Sequence, residues 1–399
     1  MKEQARDLLE EIRPYFEDER IKFILGPRYA GKSAFLSQIA KALEGKKVPA
    51  NHILRIDFAE ESFAKIRGLR SFIDYLKSKI RDGRKYYVLL DQVNECEDLF
   101  GILKSLNRSF YCSVFVTSDD VRFLEEEISA LRPSSYIRFF LGPISFLEYL
   151  AVLPKPKTRE SLLACFEDYA FADVAYFFEG EEIRPSRGFL RKFLFGEIYK
   201  RHPNLPFSSF YEACQRIILH AGEDFSPSSI SKELKKRGLS LEPSTVLRYA
   251  EMLEENALID HLEPYSEDGR TYSRGNRRFF PLFHQLLNYP NPADRRKLAK
   301  TLVYLYLKGQ GYDLNYGKTY AGTFDLVVRK DDKMCLLAVS DYLEGDEEKK
   351  KKIYSSFRPM KTSCPRFVVS FDEGDCSFLG IKNLNLVDFL MGKAPLFLT

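Results

Sequence analysis

Gly26-Pro27-Arg28-Tyr29-Ala30-Gly31-Lys32-Ser33 decides how this chain is read. It spells G-x-x-x-x-G-K-[ST], the spacing of a phosphate-binding loop. Ahead of it, Ile21-Lys22-Phe23-Ile24-Leu25 is a short apolar run with the length of a buried strand. Behind it, Ala34-Phe35-Leu36-Ser37-Gln38-Ile39-Ala40 carries apolar side chains at helical spacing. Strand, glycine-bounded loop and helix is the context such a loop needs. The glycines let consecutive backbone N–H groups turn towards phosphate oxygens, and the start of a helix adds partial positive charge. On this reading the backbone of Gly26, Pro27, Arg28, Tyr29, Ala30, Gly31, Lys32, Ser33 and Ala34 cradles the phosphates of ATP. The Lys32 ammonium reaches the β- and γ-phosphates, and the Ser33 hydroxyl sits on Mg²⁺.

Strand and helix signals then alternate. Residues 52–58 read as a strand and 63–79 as a helix. Tyr86-Tyr87-Val88-Leu89-Leu90-Asp91 is an apolar run ending in an acid. Either this buried strand delivers its carboxylate to magnesium at the sheet's carboxyl edge, with Asp91 the second metal ligand beside Ser33, or Asp91 only caps the next turn. Ser113-Val114-Phe115-Val116-Thr117-Ser118 ends in hydroxyls. Either Thr117 senses the γ-phosphate or these hydroxyls cap the helix beginning near Asp119. The alternation implies an α/β fold with a parallel sheet and crossover helices. Ligands of such sheets sit at the carboxyl ends of the strands, where the loop, Asp91 and Thr117 converge.

With 399 residues the chain is long for one domain. An apolar fraction of 45% and a charged fraction of 30% describe a soluble protein with sizeable cores, and a net charge of +4 says little about partners. Cys96, Cys112, Cys165, Cys214, Cys335, Cys364 and Cys376 are scattered, with no C-x-x-C pair. That argues for reduced thiols and against a zinc site or a disulfide framework. Residues 1–20 are charged throughout, with Leu8, Leu9, Ile12 and Tyr15 at helical spacing, so they read as an amphipathic helix and not a secretory signal. No apolar run approaches the roughly 18 residues of a membrane span. The expectation is a cytoplasmic protein without membrane contact.

A helix-rich, proline-punctuated stretch runs from Leu141 to about Pro206; within it Lys155-Pro156-Lys157-Thr158-Arg159 reads as an exposed basic turn. From Phe207 short helices follow. Ser226-Pro227 and Pro243-Ser244-Thr245-Val246 each open a helix, with Gly238 in the turn between them. Such a pair resembles a helix-turn-helix of winged type, with Ser244, Thr245 and Arg248 facing outward from the second helix as candidate DNA contacts. Many such modules only pack against neighbours, so that alternative stands. Arg270, Arg274, Arg277 and Arg278 are either a wing or phosphate-contacting loop, or a solvated hairpin. Beyond them lie a helix over 295–308, strands over 312–316, 323–328, 334–340 and 366–370, a helix opened by Lys349-Lys350-Lys351-Lys352, and a terminal turn over 387–391.

With these residues in place, the chain resembles prokaryotic AAA-type P-loop ATPases that carry a winged helix and a C-terminal domain of restriction-endonuclease-like fold. The loop matches that family's GPRxxGKS. Pro143-Ile144-Ser145-Phe146-Leu147-Glu148-Tyr149 is similar to its Pro-Leu-Ser-Phe-x-Glu stretch, and Phe324-Asp325-Leu326-Val327-Val328 to its Glu-Val-Asp-Phe strand. The resemblance implies four segments: an ATPase domain over 1–150, a helical connector over 151–206, a winged helix over 207–278 and an endonuclease-like α/β domain over 279–399.

The departures shape the expected activity. The family usually places after the strand-borne aspartate a glutamate that polarises the attacking water; here Gln92 stands there, and Glu95 is nearby. Gln can orient a water but cannot take its proton, and general-base catalysis contributes on the order of 10²–10⁴-fold. The expected catalytic set is Lys32, Asp91 and Gln92. The family's Gly-Arg pair falls at Ser134 and Ser135, with Arg132 and Arg138 on either side. In the last domain Asp325 is a nuclease remnant: the next strand has Ala338-Val339-Ser340 where Glu-x-Lys is needed, and Lys300 and Thr301 stand upstream. One carboxylate cannot assemble a hydrolytic metal centre. The expectation is a slow ATPase acting as a nucleotide-dependent switch, with DNA or a protein as partner. An ATP-binding interaction protein without turnover is the alternative, and a metal-dependent nuclease a third reading.

Overall fold

The structure, a computed structural model, describes residues 6–118, 120–171, 176–178, 181–183, 187–265, 277–287, 295–319, 322–358 and 363–397. The chain divides into two compact units, residues 1–144 with 177–182, and residues 145–176 with 183–399. The protein is a mixed α/β fold.

The first unit is built on a five-stranded parallel sheet. Its strands are β1 (Ile21–Leu25), β2 (Ile53–Asp57), β3 (Tyr86–Asp91), β4 (Cys112–Thr117) and β5 (Tyr136–Phe140), in the order β2-β3-β4-β1-β5. Every residue of β1, β3 and β4 is buried. Continuous apolar runs behave this way when helices cover both faces of a parallel sheet. On one face α1 (Leu8–Ile12) and α2 (Lys32–Gly45) bury Leu8, Ile12, Phe35 and Ile39 against Ile24, Leu89 and Phe115. On the other, α3 (Leu69–Lys79), α4 (Leu99–Ser109) and α5 (Val121–Ser129) bury Phe72, Leu103 and Leu124 with Phe23, Val88 and Val116.

Two features depart from the sequence-based layout. The helix expected over 63–79 is a 3₁₀ turn, Glu61–Ile66, followed by α3, because Gly68 sits between them in an extended conformation. Strand β5 has no counterpart in that layout. It is an edge strand, only Phe139 of it is buried, and Arg138 reaches solvent to pair with Glu125 at 2.9 Å. Its apolar pattern is therefore broken.

In the second unit, α6 (Phe146–Val152), α7 (Arg159–Phe171) and α8 (Arg187–Phe193) are followed by a π-helical turn, Leu194–Tyr199. Within the stretch expected to be helical, β6 (Tyr176–Phe178) and β7 (Glu181–Ile183) pair with each other, and residues 177–182 of this pair belong to the first unit. Three helices follow, α9 (Phe207–Leu219), α10 (Pro227–Lys236) and α11 (Pro243–Glu255), then the antiparallel pair β8 (Ile259–Leu262) and β9 (Arg278–Pro281). After α12 (Arg295–Gly309) comes a second five-stranded sheet: β10 (Asp313–Thr319), β11 (Gly322–Lys330), β12 (Lys333–Val339), β13 (Arg366–Ser370) and β14 (Lys382–Asn385). Strands β10 to β12 are antiparallel, and β12 to β14 are parallel. Helix α13 (Glu347–Ser355) makes the crossover between β12 and β13, and α14 (Leu386–Leu390) ends the unit. Among the described residues no helix is long and apolar enough to cross a membrane.

A lysine lies inside the first sheet. Lys22 on β1 is fully buried. Its Nζ donates to the Asp18 carbonyl and the Ser113 hydroxyl at 2.7 Å each, and lies 4.8 Å from the centre of the Phe115 ring. Burial pushes this ammonium down to about 7, against the pull of Asp18. Between about pH 7 and the ordinary lysine value near 10.5, the unfolded chain holds a proton that the folded chain has released. Stability therefore rises with pH through that window, and the cost of the buried charge is full below it. Melting curves across pH 7 to 10 are expected to show wild type gaining on Lys22→Met by up to about 1.4 kcal/mol per pH unit. A difference between the two that stays constant with pH would show that Lys22 does not titrate there.

Candidate functional site

The site is assembled where β1, β4 and β3 end side by side. Ile24 is in register with Thr117, and Leu90 with Val116, so the residues following β1, the end of β4 and Asp91 share one edge. Gly26 leaves β1 in contact with the chain that follows β5: the Leu141 N–H donates to the Leu25 carbonyl at 2.7 Å. A side-chain carbon at position 26 would stand 2.1 Å from the Leu141 carbonyl oxygen, so only glycine fits. Gly31 caps α2 with φ +87°, in the left-handed region that glycine enters freely. Tyr29 takes φ +68° as well, 39% exposed at the tip, with Arg28 stacked over its ring at 5.5 Å.

Lys32 opens α2 and is buried, its ammonium donating to the carbonyls of Gly26 at 3.2 Å and Pro27 at 2.9 Å. Ser33 is exposed and Ala34 is buried. The loop has a further anchor that sequence reasoning misses. Arg6, buried, donates from Nη1 to the Ala30 carbonyl and from Nη2 to the Gly142 carbonyl, both at 2.7 Å. One arginine in a charged lead-in carries no sequence signal that separates it from its neighbours.

Asp91 is the last residue of β3 and is buried. Its Oδ1 accepts the Gln92 N–H at 2.9 Å and the Thr117 hydroxyl. Oδ2 has no protein donor among the described residues. The hydroxyls at the end of β4 have the following partners. Thr117 binds Asp91 and caps nothing; the cap of α5 is Asp120, whose side chain accepts the Phe123 N–H at 2.9 Å. Ser118 accepts the Asp120 N–H at 3.0 Å and donates to Asn94 at 2.9 Å. Gln92 is left-handed, φ +50° and ψ 46°, and turns the chain into the 3₁₀ turn Val93–Glu95. Glu95 lies 4.0 Å from Arg67 and accepts from Asn94 at 3.1 Å. The Ser33 hydroxyl and Asp91 Oδ2 are hard oxygens of the kind Mg²⁺ takes together with water and phosphate, so the donor set fits that ion.

The Pro143–Tyr149 stretch has a structural account. Ser145 caps α6 by accepting the Glu148 N–H at 3.1 Å, and Glu148 accepts the Ser145 N–H at 2.8 Å. This reciprocal cap occurs in Ser-x-x-Glu sequences. Phe146 packs against Phe166 and Tyr169 at 5.5 and 5.3 Å.

In α11, Ser244 and Arg248 are exposed and Thr245 is half-buried. Of the basic segment after β8, Arg270 and Arg274 lie outside the described residues. Arg277 pairs with Glu254 at 3.4 Å. Arg278 is neither a solvated nor a phosphate-contacting group: it is buried on β9, donates to Asp224 at 2.7 Å, and stacks on Tyr316 at 4.3 Å. Asp325 on β11 is also buried, and its partners are protein groups. Lys300 Nζ lies 2.6 Å from Oδ1, Oδ2 accepts the Val339 N–H at 2.7 Å, and Arg278 Nη1 is 4.0 Å away. Burial raises this carboxyl, but the positive charges of Lys300 and Arg296 outweigh it and the net shift is downward.

Fold and site together define an α/β protein of the P-loop nucleotide-binding class. Residues 18–150 match the family described as an AAA domain, and are an AAA-type, P-loop ATPase-like domain. Over 340 residues the chain is 22% identical to an uncharacterized protein of Haemophilus influenzae, covering 83% of this chain and 85% of the relative. Among solved structures it is similar to a Walker-type ATPase of Pyrococcus abyssi, with a TM-score of 0.40 and 14% identity, over 72% of this chain and 96% of that one. A DNA polymerase III gamma-subunit-related protein of Thermotoga maritima is similar with a TM-score of 0.26 and 17% identity, over 76% and 85% of the two chains.

Removing one member of a buried ion pair strands its partner in low dielectric, at about 3–5 kcal/mol. Lys300→Ala is expected to destabilise the protein on that scale in chemical denaturation. The double variant Lys300→Met/Asp325→Leu should recover most of the loss. Equal stability of wild type and Lys300→Ala would show that the pair contributes nothing.

Proposed function

We propose that the protein binds ATP·Mg²⁺ at the loop from Gly26 to Ala34 and hydrolyses it slowly, as a nucleotide-dependent switch in the cytoplasm. The observation that carries this reading is Asp91. It is a buried carboxylate fixed through one oxygen by Gln92 N–H and Thr117, with no donor to the other oxygen among the described residues, on the sheet edge where the phosphate loop begins. Lys32 supplies positive charge for the β- and γ-phosphates, and Ser33 with Asp91 holds the ion, whose part is to neutralise phosphate charge. Thr117 orients Asp91. Gln92, one residue beyond, positions a water without accepting its proton, which sets the rate low. Lys32→Ala is expected to remove ATP binding in calorimetric titration, and unchanged affinity would sink the assignment. Gln92→Glu is expected to raise phosphate release by about 10²-fold or more. An ordinary ATPase rate in wild type, with no gain in the variant, would hand the base role to another residue, Glu95 first.

Gln92 also favours a second reading, an ATP-binding interaction protein without turnover. Wild-type protein that binds ATP and releases no phosphate would establish it. For the rest of the chain we take residues 151–206 as a connector, 207–278 as a winged helix and 279–399 as a non-catalytic relative of restriction endonucleases. Three helices followed by an antiparallel strand pair support the second assignment, and exposed Ser244 and Arg248 on α11, with Thr245, are its DNA-contact candidates. The third is supported by the mixed sheet around Asp325. The Lys300 ammonium on one carboxylate oxygen and a backbone N–H on the other tie Asp325 to protein groups, which supports the non-catalytic reading over the nuclease one.

A further inference from the structure

The chain between α8 and α9 carries a surface that neither the phosphate loop nor α11 explains. Phe195 is 49% exposed, an unusual position for a large apolar ring. It lies on the π-helical turn Leu194–Tyr199, an irregularity that in helices is frequent at functional positions. Phe195 stacks on Tyr199 with ring centres 5.2 Å apart and planes 23° from parallel. Phe207, at the start of α9, meets both rings edge-on at 5.5 and 5.3 Å. The platform is therefore held rigid from below while the upper ring faces water.

The charges around it are predominantly positive. From 187 to 202 the sequence has five Arg and Lys residues against one acid, Glu197. Arg191 and Lys192 stand four and three residues before Phe195, close to its face of the helix. Lys200 stands one π-turn after it, its backbone N–H donating to the Phe195 carbonyl at 3.3 Å. All three cations are exposed, and none has an ion-pair partner among the described residues. Protein–protein contact surfaces use exposed aromatics too, but they are depleted in lysine. An exposed ring beside unpaired cations is the arrangement that takes an unstacked base on the ring and phosphates on the flanking charges. A duplex hides its base faces and offers no such stacking partner.

We propose that Phe195, Tyr199 and Phe207, with Arg191, Lys192 and Lys200, form a binding face for single-stranded nucleic acid. The face is independent of nucleotide at the phosphate loop, and of α11.

The test is fluorescence anisotropy of the full chain with a labelled 20-nucleotide oligothymidylate at low salt and without nucleotide, with oligouridylate and a 20-base-pair duplex as competitors. Wild type is expected to bind the single strand and to prefer it over the duplex. The uridylate arm tells DNA from RNA, either of which upholds the proposal. Base stacking on an aromatic ring is worth about 1–3 kcal/mol, so Phe195→Ala should weaken binding by roughly 5- to 150-fold. Phe195→Tyr, which keeps the ring, should bind like wild type. Arg191→Gln/Lys192→Gln/Lys200→Gln should lower the slope of log affinity against log salt by about 2, at 0.7 per cation. Lys32→Ala should bind as wild type does. Melting temperatures of the variants, with Phe195→Tyr as the paired control, separate lost binding from lost folding. No anisotropy change with wild type, equal affinity in Phe195→Ala, or a duplex preference abolished by Arg248→Ala would each overturn the proposal.

Discussion

The carbonyl oxygen of Leu141 fixes the geometry on which the phosphate loop depends. Pairing between β1 and β5 brings that oxygen to the spot where any side chain at position 26 would have to sit. The chain must leave β1 as bare backbone, and the carbonyls of Gly26 and Pro27 then turn towards the Lys32 ammonium. Three residues on, Ala30 is tied by Arg6 to Gly142, on the same run of chain that follows β5. The loop's shape is thus imposed from two sides by backbone packing and a buried arginine. Its own turn residues, Gly31 above all, only permit it.

Buried charge in this protein is placed with its compensation. Lys22 donates to a carbonyl and a hydroxyl, and an aromatic ring lies beside it. Asp325 is closed on both oxygens, whereas Asp91 is closed on one. That difference separates a carboxylate serving the fold from one that can serve a ligand. Both stand on sheet strands and both are buried, so neither burial nor strand position alone identifies a metal ligand. The count of protein donors is what tells these two carboxylates apart.

Much of the first unit was legible because its central strands are continuous apolar runs and its loop has fixed spacing. Tyr86–Asp91 lies where its pattern indicates, and so do the strands on either side of it. What escaped were elements stabilised from elsewhere. β5 depends on pairing with β1 and exposes Arg138, and β14 has only half-buried and exposed residues, so neither shows the strand signature. Arg278 reads as one more member of a basic run, and only the fold reveals its position between Asp224, Tyr316 and the Phe324 carbonyl. The Ser145–Glu148 pair shows the reverse. Its residues looked like a family signature, and their spacing already encoded a helix cap.

Arg6 has a consequence for where the nucleotide unit begins. The match to the AAA-domain family starts at residue 18, and the first strand at Ile21. A fragment cut at either point would keep the whole sheet, the glycines, Lys32 and Asp91, and would lose the guanidinium that joins Ala30 to Gly142. It would also uncover Ile24, Phe35 and Phe115 where Leu8, Leu9, Ile12 and Phe16 now lie over them. The minimal autonomous unit is therefore longer at its amino end than its recognisable region, and trimming by a protease there would act on the phosphate loop from a distance in sequence.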